Sequence, residues 1–321
     1  MGITTLTNVT AISRIGLDIR DMNEFFKQST PDFINAKRIY DKGKYSPRYD
    51  KNGNEMEDPL TLKSMSVAAV DGSFNEDPTF MFQMLGMMNV GQVVEDVIER
   101  HSGYANEFVF EKLNDYTSGN LAAQAAVILT VEGYAIHQLW DGVLDCVEIS
   151  NGFNPDADYT GSINPRQSFD NFIALYVGAE QKGAPDFDGN MLYSLAHQAA
   201  KMFGTLNEVG EAKVNEDIRN HYQSIQQLMS EDKYCTREDA LQQLWSLVNR
   251  IVAKMYVPLM QYLIYVMKEE DQVEKVDMYA KAVIPQLSQC RPSIQRKLKS
   301  YLLGKHLLAD FLCSCNYTLG C

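Results

Sequence analysis

Ser118 to Cys146, SGNLAAQAAVILTVEGYAIHQLWDGVLDC, is the longest uninterrupted helical pattern in the chain. At about 100° per residue, Leu121, Ala125, Ile128, Ala135, Leu139, Val143 and Cys146 share one face. Glu132 falls within that apolar stripe. The opposite face carries Thr130, Tyr134, His137 and Asp141, the last three aligned along the helix. A helix apolar on one side and nearly closed on the other is a buried central helix. No stretch of the chain alternates with period two for long, so the predicted fold is all-α, a multi-helix bundle. Two helical halves packed together are one way to divide it: residues 1–150 with the central helix at 119–146, then 190–321. Between them, 151–189 is rich in Asn, Gly, Pro and Asp and reads as a linker or long loop, with a helical look only at 167–179.

Working outward, residues 9–28 predict a first helix. Ser29-Thr30-Pro31-Asp32 supplies a cap with proline at the first helical position, and Gly43 can close the helix it opens. Residues 44–59 form a long loop, followed by a short helix around 62–70. Asp77-Pro78 starts another, in which Met81, Met84, Met87 and Met88 recur at helical spacing and read as adaptable core packing. Helices are expected at 90–101, 104–114, 190–208 and 214–230. Thr236-Arg237-Glu238-Asp239 resembles a capping box opening a long helix to about Lys268, with Pro258 inside it. Residues 271–289 and 292–303 complete the bundle.

A net charge of −13 over 321 residues argues against a nucleic-acid partner, which needs a concentrated basic face. The run from Ile251 to Met267 is broken by Lys254, Pro258 and Gln261, so no membrane span is expected. The first 28 residues read as an amphipathic helix, not a signal peptide. Six cysteines are present: Cys146, Cys235 and Cys290 far apart, and Cys313, Cys315 and Cys321 near the end. An even count suits disulfides in an oxidising compartment. Asn8-Val9-Thr10 and Asn316-Tyr317-Thr318 match the glycosylation acceptor pattern.

The sequence lacks a P-loop, a Rossmann glycine pattern, His-Glu-x-x-His and a nucleophile elbow. No histidine has a glutamate three positions before it, which counts against a di-iron carboxylate bundle. Tyr134, His137 and Asp141 offer a phenolate, an imidazole and a carboxylate, a set suited to a hard, highly charged cation such as Fe(III). Their span is about 10 Å, so at least one ligand must come from another helix. The competing reading is a Tyr–His–Asp hydrogen-bond network that fixes helix packing. Glu132 is costly in an apolar stripe unless protonated or paired with a Lys, Arg or Tyr from another helix; otherwise it is a ligand or a base. Tyr193 and His197, downstream of Asp186 and Asp188, could repeat the same chemistry. His306 with Cys313, Cys315 and Cys321 fits no strong zinc spacing, and disulfides suit those cysteines better.

Four stretches carry a family resemblance. Ile39-Tyr40-Asp41-Lys42-Gly43-Lys44-Tyr45-Ser46 resembles a recurrent Ile-Tyr-x-x-Gly-x-x-Ser segment, and Tyr134 through Cys146 resembles a central helix. Val257-Pro258-Leu259-Met260-Gln261 with Tyr265, and Ala282-Val283-Ile284-Pro285 to Cys290, resemble the two helices that follow. In this order, over 39–290, they are similar to the algal iron-assimilation proteins, which include the phytotransferrins and the periplasmic proteins of iron-limited or high-carbon-dioxide green algae. The resemblance implies a mostly helical, non-enzymatic protein, secreted or at the cell surface, that binds ferric iron, with carbonate as partner anion in the phytotransferrins. Tyr134, His137 and Asp141 are then the candidate ligands, with Glu132 a further oxygen or the holder of a partner residue. A cell-surface receptor or anchor would be a partner, and a cytoplasmic location is the alternative. From a different class, the alternative function is a helical scaffold or interaction module that has lost metal binding. An enzyme using Glu132 as a buried base comes third.

Overall fold

Ile15, Ile19, Met22 and Phe26 recur at helical spacing, and all four are buried. They form the inner stripe of α2 (Ile15–Phe26), which follows the single turn α1 (Thr10–Ser13). The computed structural model describes residues 4–28, 32–46, 60–68, 124, 126–152, 164–183, 188–231, 233–268, 275–276, 278–280 and 282–283. The methionine stripe, the helices expected at 90–101, 104–114 and 292–303, Asp186, His306 and the four other cysteines lie outside the described residues.

Next in order is α3 (Phe33–Lys42). Its N-cap is Asp32, whose carboxylate accepts the Asn35 N–H at 3.0 Å, so the cap sits after the proline and not before it. Gly43 ends the helix at φ +65°, a conformation that costs glycine little. The short α4 (Leu62–Ala68) comes next. A π-helical turn, Ala126–Val131, then runs into α5 (Glu132–Ser150).

The stretch 151–189 contains α6 (Pro165–Val177), with Asn164 capping the Gln167 N–H at 3.1 Å and Pro165 at the first position. This helix is buried and packs on α5 more extensively than any other pair of described elements. Gly142 permits that approach, because a Cβ there would stand 2.6 Å from the Phe169 ring. After it come α7 (Leu192–Phe203) and α8 (Lys213–Met229), joined by a small loop closed by one antiparallel bridge, Leu206 to Ala212.

The last long element is α9 (Glu238–Lys268), preceded by a 3-10 turn at Tyr234–Thr236. Thr236 does not cap it; its hydroxyl donates to the Lys233 carbonyl at 3.0 Å. Pro258 lies buried inside the helix. Ile218, Tyr222, Ile225 and Met229 of α8 are buried in the core, and α8 packs along α9. Trp140 and Trp245 meet edge-to-face at 5.0 Å between α5 and α9. A fully buried large apolar side chain such as Ile218 or Ile225 contributes roughly 1.5–3 kcal/mol.

The fold is all-α, as the periodicity predicts, with no strand among the described residues. Among them, no helix is long and apolar enough to cross a membrane. Cys146 of α5 and Cys235 of the 3-10 turn form a disulfide, with Cα atoms 4.6 Å apart.

Candidate functional site

Helical geometry places Tyr134, His137 and Asp141 in one half-buried strip of α5. His137 Nε2 lies 3.3 Å from Asp141 Oδ2, and their side chains are 17% and 31% exposed. Neither is therefore sealed from solvent. The Tyr134 ring stands beside the imidazole, with centroids 5.9 Å apart. Adjacent ligands about 2.1 Å from an octahedral ion are about 3 Å apart, so the His137–Asp141 spacing suits two neighbouring donors to one ion.

Gln138 also reaches this carboxylate. Its side-chain nitrogen donates to Asp141 Oδ2 at 3.0 Å. Its oxygen accepts from Asn171 of α6 at 2.8 Å, and Asn171 in turn accepts from Gln167 at 2.7 Å. One turn further along α5, burial raises the Asp145 carboxyl to about 6, against the lowering effect of the Asn164 N–H, which it accepts at 2.9 Å. The neighbouring charges of Asp141 and Glu148 push it the same way as burial does. This side of α5 is consequently acidic.

Glu132 belongs to the other side. It is 2% exposed, on the face shared by the buried Ala135 and Leu139, so it stands apart from the Tyr134–His137–Asp141 strip. Neither carboxyl oxygen has a hydrogen-bond partner among the described residues, so the expected Lys, Arg or Tyr partner is not found there. Burial raises its pKa well above the ordinary range, and a protonated acid is the form the core tolerates. Tyr176 of α6 is close enough for a Glu132 charge to oppose ionisation of its phenol, which burial already pushes up.

Tyr193 and His197 fall in the core between α7 and α8. Tyr193 donates to Glu211 Oε1 at 2.9 Å, and Arg219 donates to the same oxygen at 2.5 Å. Burial, then the bond to Glu211, keeps the Tyr193 phenol protonated. Asn215 accepts from Tyr176 at 2.5 Å and donates to the Tyr193 carbonyl at 3.0 Å, which completes a polar bridge among α6, α7 and α8. Burial lowers the His197 pKa, with Lys201 adding to the effect. Asp188 is at the surface beside Lys182 and does not join them. Tyr193, Asn215 and Tyr176 thus tie α6, α7 and α8 together.

Sequence reasoning missed the buried acid Asp170. Asp170 Oδ2 accepts the Leu6 N–H at 2.7 Å, the Thr7 N–H at 2.6 Å and the Thr7 hydroxyl at 2.8 Å. Its other oxygen accepts from the Tyr222 hydroxyl. An acid between Phe169 and Phe172 was the available signal, of the same kind that marked Glu132. The amides Gln138, Asn171 and Gln167 were missed too, because uncharged side chains leave little mark in a hydropathy pattern.

Among the described residues, no three His, Cys, Asp or Glu side chains converge as a metal site. An ion held by His137 and Asp141 would take further donors from the Tyr134 phenolate, solvent, an anion or other parts of the chain. A groove of about 340 Å³ between α8 and α9 is lined by Ser224, Gln227, Gln243 and Arg250 among others, and Glu132 is not part of it. No family model, no curated protein and no solved structure matches this chain.

Proposed function

We propose that this chain is a non-enzymatic ferric-iron-binding protein for iron acquisition at an algal cell surface or periplasm, with carbonate as partner anion. The observation that carries the reading is the His137–Asp141 pair, 3.3 Å apart in a half-buried strip beside the Tyr134 ring. Oxygen and imidazole donors of this kind suit a hard trivalent cation better than copper(I) or structural zinc. In this reading Tyr134 binds as phenolate, Asp141 as carboxylate and His137 as neutral imidazole, and the acidic side of α5 attracts the cation. A carbonate would fill positions that these side chains leave open. The Cys146–Cys235 bond supports an oxidising compartment such as the periplasm or cell surface.

The second reading is a helical scaffold in which the polar strip only fixes packing. Its support is the hydrogen-bonded connection from Asp141 through Gln138 to Asn171, which joins α5 to α6.

A ferric titration of the purified protein, with and without bicarbonate, separates the two. Iron binding predicts a phenolate-to-iron absorption band that depends on bicarbonate and is lost in Tyr134→Phe. A protein that stays colourless and unbound in both buffers leaves the scaffold reading in place.

A further inference from the structure

Three side-chain amides stand in series across the α5–α6 contact, and all of them point the same way. Gln167 donates to Asn171 at 2.7 Å, Asn171 to Gln138 at 2.8 Å and Gln138 to Asp141 Oδ2 at 3.0 Å. The oxygens of Asn171 and Gln138 are each occupied by the donor behind, so their NH₂ groups are turned toward the next acceptor. The series ends on a carboxylate, where aligned donors reinforce one another and stabilise negative charge without adding a cation. Gln138 is buried and Asn171 half-buried, which limits competition from water.

We infer that Gln138, Asn171 and Gln167 form a positioning relay that holds Asp141 in the orientation required to bind a cation together with His137. The inference rests on the metal-binding reading of the Tyr134–His137–Asp141 strip. Gln138 and Asn171 act through Asp141 and are not ligands themselves. Supports of this kind around metal ligands are worth about ten- to a hundredfold in affinity.

The test is ferric affinity, with iron supplied as its nitrilotriacetate chelate in bicarbonate buffer, for wild type, Gln138→Leu and Asn171→Leu. Both variants are then repeated in an Asp141→Asn background, and thermal unfolding is followed for every protein. The relay predicts that each single variant weakens binding about ten- to a hundredfold and that neither has a further effect once Asp141 is replaced. A purely structural role would lower the melting temperature equally in both backgrounds and leave affinity uncoupled from Asp141. Wild-type binding that Asn171→Leu does not weaken, or weakens equally in both backgrounds, overturns the relay alone. Absence of ferric binding by folded wild-type protein overturns the metal reading, and the relay with it.

Discussion

Cys146 and Cys235 are bonded across a sequence separation of 89, tying the C-terminal half of α5 to the turn that precedes α9. Both cysteines are buried, so the bond lies inside the bundle. It closes a loop that contains α6, α7 and α8.

Closing a loop of this length removes unfolded-state entropy worth about 4–5 kcal/mol in the chain-entropy description. Cys146→Ala with Cys235→Ala is expected to lower the urea midpoint by a corresponding amount. Thiol counting under denaturing conditions provides the check, since these two sulfurs should react only after reduction. Equal stability of the double variant and wild type, with both thiols reactive from the start, would show that the bond is not formed.

Asp170 anchors the first described residues to α6 and α8 through Leu6, Thr7 and Tyr222. Replacing it with alanine strands two backbone N–H groups and two hydroxyls, at a cost of about 3–5 kcal/mol. Hydrogen exchange should show protection lost at Leu6 and Thr7 before the rest of the bundle. If those two amides exchange at unchanged rates in Asp170→Ala, the anchor is not real.

Buried acids give the protein an acid-favouring stability term. Glu132 is raised well above its ordinary 4.5, and Asp18, buried in α2 with the Tyr45 N–H on one oxygen, is raised from 3.8 to about 6. Burial is the leading cause in both. A carboxyl with a raised folded-state pKa contributes fully below its unfolded pKa, and that contribution is lost as pH rises through the folded value. Stability is therefore expected to decline from about pH 4 to 6 on account of Asp18 and Asp145, and from about pH 4.5 upward through and beyond that window on account of Glu132. Melting temperatures across a pH series should fall less steeply between about pH 4 and 6 for Asp18→Asn, where Asp145 and Glu132 still titrate, and should flatten above about pH 6 for Glu132→Gln. An infrared band of a protonated carboxylic acid at pH 7, absent from Glu132→Gln, gives an independent check. Parallel pH profiles for all three proteins would rule the mechanism out.

Helix positions were legible in the sequence wherever the signal was local. The expected helices at 9–28, 62–70, 190–208 and 214–230 correspond to α1 with α2, α4, α7 and α8, with ends shifted by a few residues. Ends were less legible because they depend on which side chain captures the free N–H groups. Asp32 does so at α3, whereas Thr236 turns back to Lys233 and does not. In 151–189 the helical look at 167–179 corresponds to α6, whose Phe169, Phe172, Ile173 and Leu175 are all buried, while the loop-forming residues on either side account for the linker-like composition.

By itself, the sequence determined an all-α chain, a buried central helix, and the common face of Tyr134, His137 and Asp141. These follow from a helical period that each segment carries within itself. Only the tertiary structure decided that Cys146 pairs with Cys235, that Asp170 receives the N-terminal segment, and that Gln138 links Asp141 to Asn171. It also decided that Glu132 meets no hydrogen-bond partner among the described residues. Such pairings depend on the register in which separate helices pack, and no residue's own spacing encodes that register.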